Sequence, residues 1–232
     1  MGTLVSYQLD GSVATITMDD GKVNALSLQM LTELGAALDR ALADRAVVVL
    51  TGRDGIFSAG FDLTVLRAGG SDASAMLRAG FELAERILSF PTPVLIACTG
   101  HAIAMGVFLL LSGDYRVGAA GPYKITANEV AIGLTMPRAA VEICRQRLAP
   151  AHFNRAVILA EIFSPDDAVA AGFLDRVVPA PELQDVAASA AGLLAKLDSD
   201  AHAASKVRAR DNSLHALRAA IEADDADFGA PA

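Results

Sequence analysis

From Val5 to Leu9, and again from Ser12 to Met18, apolar and β-branched residues alternate or run together, with Asp10-Gly11 between the two stretches. This pattern predicts a β-hairpin. Ser27 then precedes Leu31, Leu34, Leu38 and Leu42 at helical spacing, so an amphipathic helix opening at Ser27 and running to about Ala41 is expected. Ala46–Thr51 (AVVVLT) abandons that period. A short apolar run of this kind fits a strand buried on both faces. A Gly-rich loop is expected over Gly52–Gly60, followed by a helix from about Asp72 to Phe90 that Pro91 and Pro93 stop. Val94–Thr99 reads as a second buried strand, Met105–Ser112 as a helix and Tyr115–Ala119 as a third strand. From Arg138 onward the pattern is mainly helical, interrupted near Leu174–Val178.

Strand and helix thus alternate, which implies parallel crossovers and an α/β core. The 232 residues suit one structural unit with a helical C-terminal part, and the sequence contains no repeat or long linker. The net charge of −8 argues against binding nucleic acid or an anionic membrane, both of which need basic surface. It leaves room for an anionic ligand held locally by backbone N–H groups. The most apolar run, Ala102–Leu111, is about half of the ~20 residues that a membrane span needs. The N-terminus lacks a basic region followed by an apolar one, so cytoplasm is the expected location. Cys98 and Cys144 sit in apolar stretches and are expected as buried, reduced thiols. No His/Cys spacing suggests a metal site.

Two loops carry the candidate chemistry, because each follows a buried strand and leads into a helix, where ligands of open parallel sheets bind. One is Phe57-Ser58-Ala59-Gly60-Phe61-Asp62-Leu63. The other is Gly100-His101-Ala102-Ile103-Ala104-Met105-Gly106. Small residues there let a ligand approach free backbone N–H groups. Turn and packing geometry alone would explain either Gly60 or Gly106. Asp62 fits an N-cap of the following helix. His101 fits a packed side chain bonded to backbone, and Asp114 fits a backbone acceptor at a strand start.

Taken in order, five segments resemble the crotonase superfamily, the enoyl-CoA hydratase/isomerase family. They are Asn24-Ala25-Leu26-Ser27, FSAGFDL (57–63), GHAIAMGVFLLLSGDYRV (100–117), ITANEVAIGLTMP (125–137) and AVAAGFLDRVV (168–178). The resemblance spans about Gly11 to Pro181. It implies a ClpP/crotonase-like α/β fold of repeated β-β-α units, with a core over residues 1–185. A helical segment over 186–232 would follow, shorter than is usual for the family. It also implies an acyl-CoA thioester as substrate, no separate cofactor (coenzyme A is part of the substrate), and a homotrimer or hexamer.

In relatives the thioester oxygen is held by two backbone N–H groups, which fall here on Phe61 and Met105. Met105 stands where the family commonly has Gly. The family's persistent catalytic carboxylate falls on Glu129. Ala25, Ala59, Gly60, Asp62, Leu63, Ala104, Gly106 and Phe108 are the implied substrate-lining positions. Phe108 departs from the hydratases, which carry a first glutamate there and hold water between two carboxylates. The single-carboxylate pattern is closer to the Δ3,Δ2-enoyl-CoA isomerases, with hydration of 2-enoyl-CoA as the alternative. An acyl-CoA-binding protein without catalysis is a further possibility, motivated by Phe108, Met105 and the short C-terminal part. Lys206 resembles a basic position near the nucleotide in relatives, with surface solvation as its other reading. Arg53 and Arg67 could approach phosphates or simply face solvent. A serine hydrolase is disfavoured for want of a Gly-x-Ser-x-Gly elbow, and nicotinamide or flavin binding for want of Gly-x-Gly-x-x-Gly.

Overall fold

The computed structural model describes residues 2–228. The predicted hairpin forms from β1 (Val5–Asp10) and β2 (Val13–Met18), paired antiparallel. Helix α1 (Leu28–Ala43) follows, its first turn capped by the Ser27 hydroxyl, which accepts from the Met30 N–H. Next come β3 (Val47–Thr51), β4 (Gly55–Ser58), α2 (Leu63–Ala68), α3 (Gly70–Ser89), β5 (Val94–Cys98), β6 (Gly100–Ile103), α4 (Met105–Leu111), β7 (Tyr115–Ala120) and β8 (Ile125–Thr126). Helices α5 (Arg138–Arg145), α6 (Pro150–Val157) and α7 (Pro165–Ala171) lead to β9 (Arg176–Pro179). The chain then runs through α8 (Leu183–Leu194) and α9 (Ser199–Phe228). The boundary after residue 185, where the sequence places the end of the core, falls inside α8. Residues 229–232 of the helical segment fall outside the described residues.

Six strands form one sheet in the order β1-β2-β3-β5-β7-β9, parallel from β2 onward. Alternation along its strands gives the sheet two buried faces. Val48, Leu50, Val94 and Ile96 belong to one cluster, with Met30, Leu34 and Leu38 of α1 and Ala84 and Ile87 of α3. Val47, Val49, Leu95, Ala97 and Val117 belong to the other, with Leu183, Ala187 and Ala191 of α8. Being covered twice is why these strands read as apolar runs with no period.

The expected loops each hide a strand. β4 lies inside 52–60 and β6 inside 100–106, and with β8 they form a second, three-stranded parallel sheet in the order β4-β6-β8. With four, four and two residues, some of them Gly or His, these strands have too little apolar pattern to be read singly. Cross-strand pairing makes them.

Helix α9 packs along α3 and α5 through a stripe that includes Leu214, Leu217 and Ile221. The Asp224 carboxylate, on the same helix, caps α5 by accepting from the Arg138 and Ala139 N–H groups at 3.0 and 2.9 Å. Lys206 departs from both of its readings. Its side chain is only 3% exposed and reaches Asp114 at 2.7 Å, and Asp114 also takes Arg210 at 2.9 Å and the Val94 N–H at 2.7 Å. Burial pushes the Lys206 amine down to about 8, with the Asp114 carboxylate opposing that fall. Lys206 therefore pins α9 to the N-terminal end of β7. No helix among the described residues is long and apolar enough to cross a membrane.

Candidate active site

The small sheet is what assembles the site. Its three parallel strands end at Ser58, Ile103 and Thr126. Phe61, Met105 and Glu129 follow those ends by three, two and three residues. The Ala104 N–H donates to the Thr126 carbonyl at 3.0 Å, so the segment leading to Glu129 is fastened beside the one leading to Met105. Register in one short sheet thus brings together residues 68 positions apart in the chain.

The first loop is braced from below. Asn24 is fully buried at φ +51°, and its amide donates to the Met18 and Phe57 carbonyls at 3.0 and 3.1 Å. The Ser58 hydroxyl donates to the Asn24 carbonyl at 2.7 Å and accepts from the Gly60 N–H at 3.1 Å. The Gly60 carbonyl accepts from the Leu26 N–H at 2.8 Å. Gly60 sits at φ +90°, and a Cβ there would lie 2.9 Å from the Ile103 carbonyl and 3.1 Å from the Met105 nitrogen. The two loops therefore touch through backbone, and only glycine fits at the contact.

Among the described residues, neither the Phe61 N–H nor the Met105 N–H has a protein acceptor. Each lies just past a short strand, and Met105 opens α4, where intrahelical bonds leave the N–H free. Ala104, immediately before it, takes the strained φ of +50° that turns the chain into the helix.

Glu129 is 7% exposed, and its Oε2 has no partner among the described residues. Burial raises its carboxyl to about 7, against a smaller lowering by its own N–H. Cys144 of α5 is close enough that the Glu129 carboxylate adds to the rise of its thiol pKa, after the larger effect of burial. The Thr126 hydroxyl and the Asn128 side-chain amide oxygen are likewise buried without a partner among the described residues.

Phe108 is 1% exposed and its ring lies 6.3 Å from that of Phe81, so the α4 position of interest is apolar and filled. Asp62 caps α2 as expected, accepting from the Thr64 N–H at 2.8 Å. Leu63 is exposed at the start of that helix. Ala25 and Ala59 border the first loop, their N–H groups bonded to the Asp20 carboxylate and the Val23 carbonyl. A Cβ on Gly106 would lie 2.4 Å from the Ser58 carbonyl, a second close approach of the loops.

His101 accepts from the Lys124 N–H through Nδ1 at 2.9 Å and stacks edge-on with Tyr123, as a packed residue. Arg53 donates to the Lys22 carbonyl at 3.0 Å, and Arg67 is exposed. Asn24, Ser58 and Thr126 lie within the motif segments, yet none of the three is singled out there as a site residue. An Asn before a helix start is the one hint, since Asn tolerates positive φ.

Two N–H groups without protein acceptors, on Phe61 and Met105, and a buried carboxyl without a partner, on Glu129, thus follow the ends of the three strands of one small sheet. The chain belongs to the enoyl-CoA hydratase/isomerase family, whose model matches residues 8–231. It is similar to the human mitochondrial enoyl-CoA delta isomerase 1, 31% identical over 97% of this chain and 76% of that protein. It is also similar to a probable enoyl-CoA hydratase of Mycobacterium avium, 29% identical over 96% of this chain and 81% of that one. Among solved structures, an apo enoyl-CoA isomerase of Mycobacterium tuberculosis superposes with a TM-score of 0.94 at 49% identity. That match covers 98% of this chain and all of the mycobacterial one. This is the crotonase fold expected from the sequence, in an enzyme of the enoyl-CoA hydratase or isomerase kind.

Proposed function

We propose that the chain isomerises 3-enoyl-CoA thioesters to 2-enoyl-CoA, with Glu129 as the single proton carrier. The thioester oxygen lies between the Phe61 and Met105 N–H groups. Glu129 takes a proton from C2, the electron pair spreads over C2–C4 and the thioester oxygen as a dienolate, and the two N–H groups hold the developing oxyanion. The protonated Glu129 then returns the proton at C4, the double bond forms between C2 and C3, and the enzyme ends as it began. Losing one such donor costs on the order of 10²–10³ in rate. A carboxyl raised to about 7 suits both halves of the cycle, since neither form is strongly favoured near neutrality.

The observation that carries the choice of isomerisation is the pairing of a buried, unpartnered Glu129 with a buried Phe108 at the other candidate carboxylate position. Phenylalanine can neither hold nor activate water. Hydration of 2-enoyl-CoA is the second reading. It is favoured by the unpartnered Thr126 and Asn128 oxygens next to Glu129 in the chain, which offer acceptors for a water.

Deuterium placed at C2 of a 3-enoyl-CoA distinguishes the routes. One carboxylate working alone delivers part of that label to C4 of the product. Label lost wholly to solvent would assign the C4 proton to a second donor. Homotrimeric or hexameric assembly and a cytoplasmic location belong to the same proposal. The exposed Ile158, Leu159 and Ile162 supply apolar surface for subunit contact.

A further inference from the structure

Helix α5 begins without a cap of its own. Pro137 precedes it and offers no side-chain acceptor, so the N–H groups of its first turn need one from elsewhere. Asp224, buried on α9, supplies it from 85 residues beyond Ala139. Its two carboxylate oxygens accept from the Arg138 and Ala139 N–H groups at 3.0 and 2.9 Å. The Arg138 guanidinium stands 3.8 Å from the same carboxylate and also pairs with Asp227. A carboxylate at a helix start is favoured by the helix dipole as well.

Helix α5 in turn bears on Glu129. Cys144, in its last turn, is fully buried, and its thiol is raised first by burial and then by the Glu129 carboxylate. The chain between Glu129 and α5 is held weakly by its own side chains. It makes a single 3-10 turn, Val130–Ile132, and the Leu134 N–H closes back on the Glu129 carbonyl at 2.9 Å. Val130, Ile132 and Leu134 are 45, 49 and 47% exposed, and Met136 is the first of these residues to pack against the core. The segment carrying Glu129 is therefore located from its two ends, by β8 on one side and by α5 on the other.

We propose that Asp224 is a positioning residue for Glu129: by capping α5 from α9 it holds the helix against which the Glu129 carboxyl is buried. This inference rests on Glu129 being the proton carrier and adds a residue that acts through it. Without the cap the first turn of α5 frays, the exposed segment is released at one end, and water reaches the carboxyl. Burial is what raises that carboxyl, so hydration lowers it toward its ordinary value.

The test measures kcat and KM on 3-enoyl-CoA against pH for the parent protein, Asp224→Ala, Asp224→Asn and Lys206→Met. The parent's acid limb is expected near about 7. Asp224→Ala should lower the plateau kcat by about 10–10²-fold with KM little changed. It should also move the acid limb down by about 1 pH unit. Asp224→Asn keeps one acceptor oxygen, lies between the two, and carries the same comparison if Asp224→Ala does not fold. Lys206→Met loosens α9 nearer its other end and should cost stability with the limb unmoved. A second readout needs no turnover. Glu129→Gln raises the urea midpoint near pH 8 by removing a buried charge, and in the Asp224→Ala background that rise should shrink.

An acid limb that stays in place in Asp224→Ala, or that Lys206→Met moves as far, overturns the inference. So does a Glu129→Gln gain as large in the Asp224→Ala background as in the parent. A parent protein inactive on 3-enoyl-CoA overturns the isomerase reading instead, and the urea comparison then decides the role of Asp224 alone.

Discussion

Gly80 lies in the middle of α3, where alanine would ordinarily be the better residue, and Gly80→Ala separates helix propensity from packing. In an open helix the change would stabilise by about 1 kcal/mol. Here the added Cβ would lie 2.4 and 2.5 Å from the Cε1 and Cζ atoms of the Phe61 ring. Carbon atoms rest at about 3.5–4.0 Å, so the ring must retreat by about 1 Å. It has little room, being wedged edge-on against Phe81. Overpacking of this kind costs about 1–3 kcal/mol, which outweighs the propensity gain and leaves a net loss of about 0–2 kcal/mol. The functional cost is larger, because the ring and the proposed donor N–H belong to one residue. A shift of about 1 Å in a positioned group can cost on the order of 10² in rate.

The comparison is Gly192→Ala in α8, where a Cβ would meet nothing within 4 Å and a gain of about 0.5–1 kcal/mol is expected. Urea unfolding and kcat/KM on 3-enoyl-CoA, measured for both variants, give the answer. If Gly80→Ala gains stability as Gly192→Ala does, or keeps full activity, the claim that α3 fixes the Phe61 donor is wrong.

Two further expectations concern buried charge. The Glu129 carboxyl is raised from 4.5 to about 7 by burial, so the folded state binds its proton more tightly than the unfolded chain does. The cost is absent below the unfolded value, grows between 4.5 and about 7, and is complete above that. Glu129→Gln should therefore stabilise by about 3 kcal/mol near pH 8 and hardly at all near pH 4, as read from urea midpoints. In the parent enzyme kcat/KM should fall as pH drops through about 7, since the base must be ionised; a flat acid limb there would place the base elsewhere. Lys206→Met removes one partner of a buried pair, with Arg210 left to Asp114, and should destabilise by about 3 kcal/mol. Binding of coenzyme A should be unaffected, and a clear loss of that affinity with stability intact would return Lys206 to the nucleotide.

Much of this was legible in the chain. Val47–Thr51 and Val94–Cys98 are buried on both faces, which is why AVVVLT and VLIACT read as strands without any period. Glu129, Phe61 and Met105 came from ordered motifs, and each follows the end of one strand of the small sheet. The sheet itself was not legible. β8 has two residues, and β4 and β6 look like Gly-rich loops because their stability comes from pairing across the fold. Lys206 was misread because a lone lysine on a helix usually faces water. The signal was present in its stripe, since Lys206, Arg210, Leu214, Leu217 and Ile221 recur at spacings of four, four, three and four along one face of α9. A glycine in mid-helix at Gly80 was likewise a visible oddity, and only the Phe61 ring explains it.

The most direct measurement compares matched 3-enoyl-CoA and 2-enoyl-CoA thioesters as substrates for the purified protein and for Glu129→Gln. The single-carboxylate mechanism predicts brisk conversion of 3-enoyl to 2-enoyl-CoA, lost in the variant, with little water added to the 2-enoyl thioester. Brisk hydration of 2-enoyl-CoA beside inactivity on 3-enoyl-CoA would contradict it.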